Sequence, residues 1–230
     1  MAIAYIQKQS ASADASGTAL NVTVTSTGAA RILVVWCKWE GANGSILSIS
    51  GGGTWVNGTL KDHTNGDLHG QFAYVLSSTS GTTTVTMTLS AARTFRRIHF
   101  WEFSYAGTAS LDAQITNSST GATAITSTNI TTTGTDEVVL GGYGEYSGDT
   151  VTSPLINAVA AAQSLIDSPA STYTGSWERI VTATFTGAAT ATLSAADPWV
   201  CNAISLKAVA GGIPNKAVFI RQAVKRASIY

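Results

Sequence analysis

The densest gathering of chemically capable side chains in this 230-residue sequence is Lys61-Asp62-His63-Thr64-Asn65-Gly66-Asp67-Leu68-His69. Two imidazoles and two carboxylates so close together are donor types for a transition metal, and Asp62, Asn65 and Asp67 offer hard oxygens suited to calcium. The spacing fits neither the His-x3-His pair of helical zinc sites nor the calcium loop that ends in Glu. The expectation is therefore a metal-free polar turn between two strands.

A hydrolase needs a nucleophile, a base and a group that orients the base. Serines abound and His99 stands among Arg97, Phe100, Trp101 and Glu102, yet no G-x-S-x-G elbow is present. His99 alternates with Ile98 and Phe100, which reads as a partly covered strand residue. Carboxylate pairs for glycoside cleavage can be drawn as Glu40 with Glu102, or Glu145 with Glu178. Glu40 and Glu145 fall at matching places of an internal repeat, which suits a structural position better than one active site. Gly51-Gly52-Gly53 lacks the Lys-Ser/Thr of a phosphate loop. Arg93, Arg96 and Arg97 beside Phe95 read as a solvated basic loop rather than a nucleic-acid patch. No catalytic residue, metal ligand or cofactor is assigned, and the chain is expected not to be an enzyme.

Aromatic residues supply the main alternative. Trp55, Tyr143, Tyr146 and Trp177 lie in or near expected loops, where flat rings can stack on sugar faces. Trp36, Trp39, Trp101 and Trp199 are expected inside. Asn21, Asn43, Asn57, Asn117 and Asn129 open N-x-S/T sequons, which a chain this rich in Ser and Thr produces by chance.

The elements that must position these residues are strands, and they come twice. Ala30 to Gly41 (ARILVVWCKWEG) returns in Thr135 to Tyr146 (TDEVVLGGYGEY), and Gly81 to Ala92 (GTTTVTMTLSAA) returns in Gly187 to Ala196 (GAATATLSAA). Two echoes in the same order at nearly the same offset indicate a duplicated β-rich unit. Apolar and hydroxyl residues alternate in Asn21 to Thr25 and Thr84 to Leu89, so one face of each strand is buried. Strands are expected at 19–25, 32–39, 46–50, 72–77, 83–89 and 97–105. In the second half they are expected at 124–131, 137–143, 180–186, 189–193 and 200–209. Loops are expected at 51–53, 62–70 and 141–153, and 159–165 has the propensity for one or two helical turns.

These elements predict an all-β fold, a jelly-roll-like β-sandwich with internal duplication spanning residues 1–210, its halves 1–107 and 108–210. Two small sandwiches joined near 107–123 are the rival arrangement. Residues 211–230 form a separate basic tail or short helix after the Gly211-Gly212-Ile213-Pro214 linker. Within it Phe219, Ile220 and Val224 offer apolar anchors, and Arg221, Lys225 and Arg226 share another side. Such a tail is expected to dock on a partner.

Charged residues make up only 11% of the sequence, while about a quarter of it is Ser or Thr, so hydroxyls must supply the polar surface. Thirteen basic and thirteen acidic residues balance, giving no general attraction to nucleic acid or to an anionic membrane. No basic patch followed by an apolar stretch opens the chain. Taken with Met1, this points to a protein made in the cytoplasm. Cys37 and Cys201 are expected to be buried free thiols.

The runs Leu33 to Gly41, Thr82 to Phe95 and Trp101 to Gly107 resemble Thr/Ser/Gly-rich β-sandwich proteins encoded by tailed bacteriophages and some bacteria. The resemblance spans about residues 20–209 and carries no catalytic motif. It implies a non-enzymatic virion accessory part, such as a capsid decoration protein, head fibre or tail component, assembled in the host cytoplasm. Expected partners are other copies of the chain and a major capsid or tail protein. The alternative is a carbohydrate-binding or host-attachment module whose partner is a glycan.

Overall fold

The computed structural model describes residues 3–42, 47–167 and 174–209. The 211–230 tail, with Phe219, Ile220, Arg221, Val224, Lys225 and Arg226, lies outside these residues, as does Asn43. The described chain is all strand and turn, with no helix.

Two antiparallel sheets pack face to face as a β-sandwich. The first contains β1 (Ala4–Ala13), β2 (Gly17–Thr23), β3 (Arg31–Glu40), β4 (Leu47–Ser50), β5 (Val56–Asn57), β6 (Lys61–Asp62), β7 (Leu68–Val75) and β8 (Thr84–Ser104). The second contains β9 (Thr108–Thr131), β10 (Glu137–Glu145), β11 (Val151–Ile156), β12 (Val159–Ala160), β13 (Gln163–Asp167), β14 (Thr174–Val181) and β15 (Thr186–Val209). The sequence echo is an echo of topology. The order β8-β3-β7-β5 in the first sheet is repeated as β15-β10-β14-β13 in the second. β4 lies along the start of β8 as β11 lies along the start of β15. One asymmetry stands out: the long β9 follows β15 from end to end, whereas its counterpart is split into β1 and β2 around Asp14.

Each sheet curls over its own longest strand. β8 pairs with β2 and β4 along residues 84–89, then with β1 and β3 along 94–104. At the start of the second stretch Phe95 takes φ 46°, an uncommon left-handed conformation for a bulky residue. The curl encloses Val22, Leu33, Val35, Cys37, Val85, Met87 and Phe100 in a core private to the first half. A matching private core in the second half contains Ile125, Val139, Tyr143, Trp177, Trp199 and Cys201. A third cluster is shared, setting Ile32, Val34, Trp36, Phe72, Trp101 and Phe103 against Val138, Leu140, Ile204 and Leu206. Successive strand residues face opposite sides, so β3 fills a private core with its odd positions and the shared seam with its even ones. That double burial explains why its sequence does not alternate. Each large apolar side chain buried this way contributes roughly 1.5–3 kcal/mol.

The seam closes tightly where bulk meets glycine. Trp36 is wholly buried, and a Cβ on Gly142 would lie 2.5 Å from its indole Cδ2. A Cβ on Gly70 would lie 2.3 Å from its Cη2. The indole N–H is donated across the seam to Thr174 Oγ1 at 3.0 Å and Tyr143 O at 3.2 Å.

The outward side of each curl is a grid of hydroxyls. Cross-strand rows are Thr23–Thr84, Asn21–Thr86–Ser50 and Ala19–Thr88–Ser48 in the first half. The second half presents Thr131–Thr186 and Ala124–Thr192–Thr152. Asn21 and Asn129 each precede the end of the matching strands β2 and β9, so these two sequons repeat because the unit repeats.

Several expected boundaries move. Residues 159–165 form parts of β12 and β13 instead of helical turns, because Gln163–Asp167 hydrogen-bonds to β14 and that pairing outweighs local propensity. Residues 141–153 are not all loop, since β10 runs through Glu145 and β11 begins at Val151. The strand expected at 180–186 lies at 174–181, and β1 was not anticipated. Cys37 and Cys201 are buried free thiols in separate private cores, as expected.

Replacing Gly142 by Ala should lower the unfolding free energy by about 1–3 kcal/mol, because the rigid indole of Trp36 occupies the space. Gly121→Ala, where an added Cβ meets nothing within 4 Å, should change it by less than about 0.5 kcal/mol. Urea unfolding of the two variants measures the difference.

Candidate functional site

Charged residues far apart in the sequence gather at one end of the seam, where β3 and β10 finish. Lys38 has no exposed surface and is paired with Glu40 on the same strand face. Its alkyl stem lies against Gly144 of the other half, and its Nζ stands 5.9 Å from the centre of the Phe95 ring. Burial pulls the Lys38 ammonium down to about 8, opposed by Glu40. Burial also raises the Glu40 carboxyl, with Lys38 pulling the other way. Arg97, likewise wholly buried, pairs with Asp14 at 2.6 Å.

The cluster from Lys61 to His69 lies beside this pair and is only partly a loop. Lys61 and Asp62 form β6, and Leu68 and His69 begin β7. His69 is buried, stacked on Trp39 at 5.3 Å between ring centres. Its Nδ1 meets Asp62 Oδ1 at 2.6 Å and its Nε2 meets Gly41 O at 2.7 Å. His63 Nδ1 accepts from Asn65 N at 3.3 Å, which leaves Nε2 to donate to Ser119 O at 3.1 Å in the opposite half. Asp67 holds the turn by accepting from Gly41 N through its backbone carbonyl. The two imidazoles therefore act as braces.

A second acidic group lies across the seam. Glu145, Asp149 and Asp197 bring carboxylate oxygens within 4.8 Å of one another. A turn caps them: Gly148 N and Ser147 N donate to Glu145, while Tyr146 N, Ser147 N and Ser147 Oγ donate to Asp197. Asp149 accepts from Ser194 Oγ at 2.9 Å. Tyr146 packs edge-on to His63 at 6.1 Å. Burial raises the pKa of its phenol, with Asp67, Glu40 and Asp197 adding to the effect.

Along the middle of the seam the polar contacts are dry. His99 Nδ1 is 2.9 Å from Ser176 Oγ, which also accepts the indole N–H of Trp101 at 2.9 Å. Neither His99 nor Ser176 has exposed surface, so this Ser–His pair is out of a substrate's reach, and His99 is covered more fully than its strand pattern indicated. Asn202 donates to Thr59 O and Gly70 O across the halves. Glu178 is only 1% exposed. Burial pushes its carboxyl up to about 7, opposed by the charge of Lys8. Lys8 reaches over from β1 to Gln163 Oε1 and Ser164 O, both at 2.9 Å.

The remaining candidates separate. Tyr143 and Trp177 are fully buried core residues, tilted against each other at 5.9 Å, so neither offers a ring face to a sugar. Trp55 is half-buried and donates its indole N–H to Gly51 O at 2.6 Å. Glu40 faces the seam through its pair with Lys38, while Glu145 sits opposite Trp199 on the private-core side of β10. Despite their matching places in the echo, the two carboxylates lie on opposite strand faces. Glu102 belongs to a different part of the molecule, accepting from Gln7 Nε2 and Gly28 N. Arg96 and Arg97 are not a solvated loop: both are buried within β8, where Arg96 donates to Ala15 O and Ala19 O. The curl of β8 explains this, since it folds the basic run inward. Lys38–Glu40 and Lys8–Glu178 were not read from the sequence. For Lys38 the only signal is a charge inside an otherwise apolar strand; Lys8 and Glu178, in polar-containing strands, give none.

Glu178 makes stability pH-dependent. In the unfolded chain its carboxyl deprotonates near 4.5, in the fold only near 7, so the fold binds more protons between these values and loses stability as pH rises through them. The loss is on the order of 3 kcal/mol. Glu178→Gln should therefore raise the unfolding free energy at pH 8 and change it little at pH 5, as read by urea titrations at both.

Compared with known protein families, curated proteins and solved structures, the chain matches none.

Proposed function

We propose that the chain is a non-enzymatic structural subunit of a bacteriophage particle, coating or decorating it through contacts with its own copies and with a major capsid or tail protein. The observation that carries this reading is where the reactive side chains go. His63 and His99 bond across to the opposite half, while His69 and the Lys38–Glu40 pair are tied up inside the first half, the stem of Lys38 lying against Gly144. An architecture that uses its chemistry internally and presents uncharged hydroxyl grids outward suits a building part. The Ser/Thr/Gly-rich resemblance points the same way, and so does a neutral charge balance, which gives no general pull toward the packaged nucleic acid.

The segment from Lys216 to Tyr230 is the proposed docking arm. Phe219, Ile220 and Val224 supply apolar anchors that each contribute roughly 1.5–3 kcal/mol when buried on a partner. Arg221, Lys225 and Arg226 then meet acidic groups at the rim.

Gradient-purified particles from producing cells, analysed by quantitative mass spectrometry, should contain the chain in many copies per particle. A chain ending at residue 210 should melt cooperatively and no longer incorporate. Recovery of the full-length protein only in the particle-free fraction would sink the proposal, and full incorporation of the shortened chain would remove the role of the arm.

A further inference from the structure

A surface cavity of about 350 Å³ lies away from the seam's charged end, between β1, the 24–30 connection and the adjoining ends of β3 and β8. It is lined by Ile6, Gln7, Thr25, Gly28, Arg31 and Glu102, with Ser26 at its rim. Its volume falls within the range of small-molecule sites. The chain is irregular here: the register of β1 against β8 shifts between Tyr5 and Gln7, a bulge of the kind that re-aims side chains.

The bulge leaves Ile6 46% exposed on the lip. Gln7 clamps the wall, donating from Nε2 to Thr25 O at 2.8 Å and accepting from Thr25 N at 3.0 Å. The same Nε2 donates to Glu102 Oε2 at 2.5 Å. Glu102 is 1% exposed and also accepts from Gly28 N at 2.9 Å through Oε1. Two bonds use about half of the acceptor positions of a carboxylate. Arg31 lies over Gly28, where an added Cβ would be 2.8 Å from Nε. Its guanidinium brings a fork of donors to the cavity.

We propose that this cavity binds a neutral saccharide residue. Three features select that chemistry. Arg31 and Glu102 are the only charged linings and cancel, so an anion is opposed by the carboxylate and a cation by the guanidinium. A fixed donor fork beside a fixed acceptor matches vicinal hydroxyls, each of which both donates and accepts. The Ile6 lip offers an apolar surface to the C–H side of a ring. None of the aromatic residues singled out in the sequence takes part. The inference holds whether or not the chain belongs to a particle.

Saturation-transfer NMR on the full chain, with a panel of free neutral hexoses and N-acetylhexosamines, tests it. At least one sugar should bind with a dissociation constant on the order of 1 mM. Binding should weaken at least about tenfold, or 1.4 kcal/mol, in Arg31→Ala. Gly28→Ala should weaken it similarly by displacing the guanidinium, while Trp55→Ala should leave it unchanged. Matched thermal melts of the variants confirm that the fold is retained. The proposal is overturned if no neutral sugar gives saturation transfer, if binding survives Arg31→Ala, or if only acidic sugars bind through Arg31.

Discussion

The architecture depends on one close approach, the Trp36 indole pressed against Gly142 and Gly70 with its N–H handed across to Thr174 and Tyr143. A ring of that size on a central strand leaves room for no side chain opposite, so the second sheet must present glycine there. With the sheets that close, polar side chains along the seam are buried and most of them bond to protein, Glu178 Oε2 and Asn202 Oδ1 being exceptions. The pairing of Lys38 with Glu40 and of His99 with Ser176 follows from that burial, while Arg97 reaches out to the half-exposed Asp14. Removing one partner of such a pair strands a buried charge, which costs more than the pair itself contributes.

Duplication supplies the two sheets and the seam makes them unequal. β3 and β10 occupy the same place in the strand order, yet one carries Trp36 and Lys38 where the other carries Gly142 and Gly144. A large residue on one copy facing a small one on the other gives complementarity that two identical faces lack. The private cores tolerate likeness, since neither touches the other half.

The all-β fold and the repeat were legible in the sequence because both rest on local regularities. Period-two alternation marked β2 and the start of β8, and the Thr-rich echo marked β15. β1 escaped notice because Ala4–Ala13 is an edge strand with mostly polar, partly exposed residues, so burial imposes little pattern on it. Residues 159–165 misled through Ala-rich helix propensity, which pairing with β14 overrides. The site was less legible. Separation along the chain hid the meeting of Glu40, Tyr146 and Asp197, which only strand register brings about. The curl of β8 turned an apparently solvated arginine run inward, and double-sided burial placed Tyr143 and Trp177 in a core. Gln7, Arg31 and Glu102 come from three strands and share a cavity through a bulge that no composition signal announces.

The hydroxyl grids on the two outward curls have a consequence for how the molecule meets its surroundings. Surfaces held in solution by like charges lose their mutual repulsion once ions shorten the screening length to about 10 Å or less. A surface wetted by Thr, Ser and Asn side chains has no such dependence, because each hydroxyl bonds water whatever the ionic strength. With few charges in the chain and several of them spent inside, contacts made through these faces should be as strong in brine as in dilute buffer. These two faces are thus insulated from the salt content of the medium, unlike any contact made through charges.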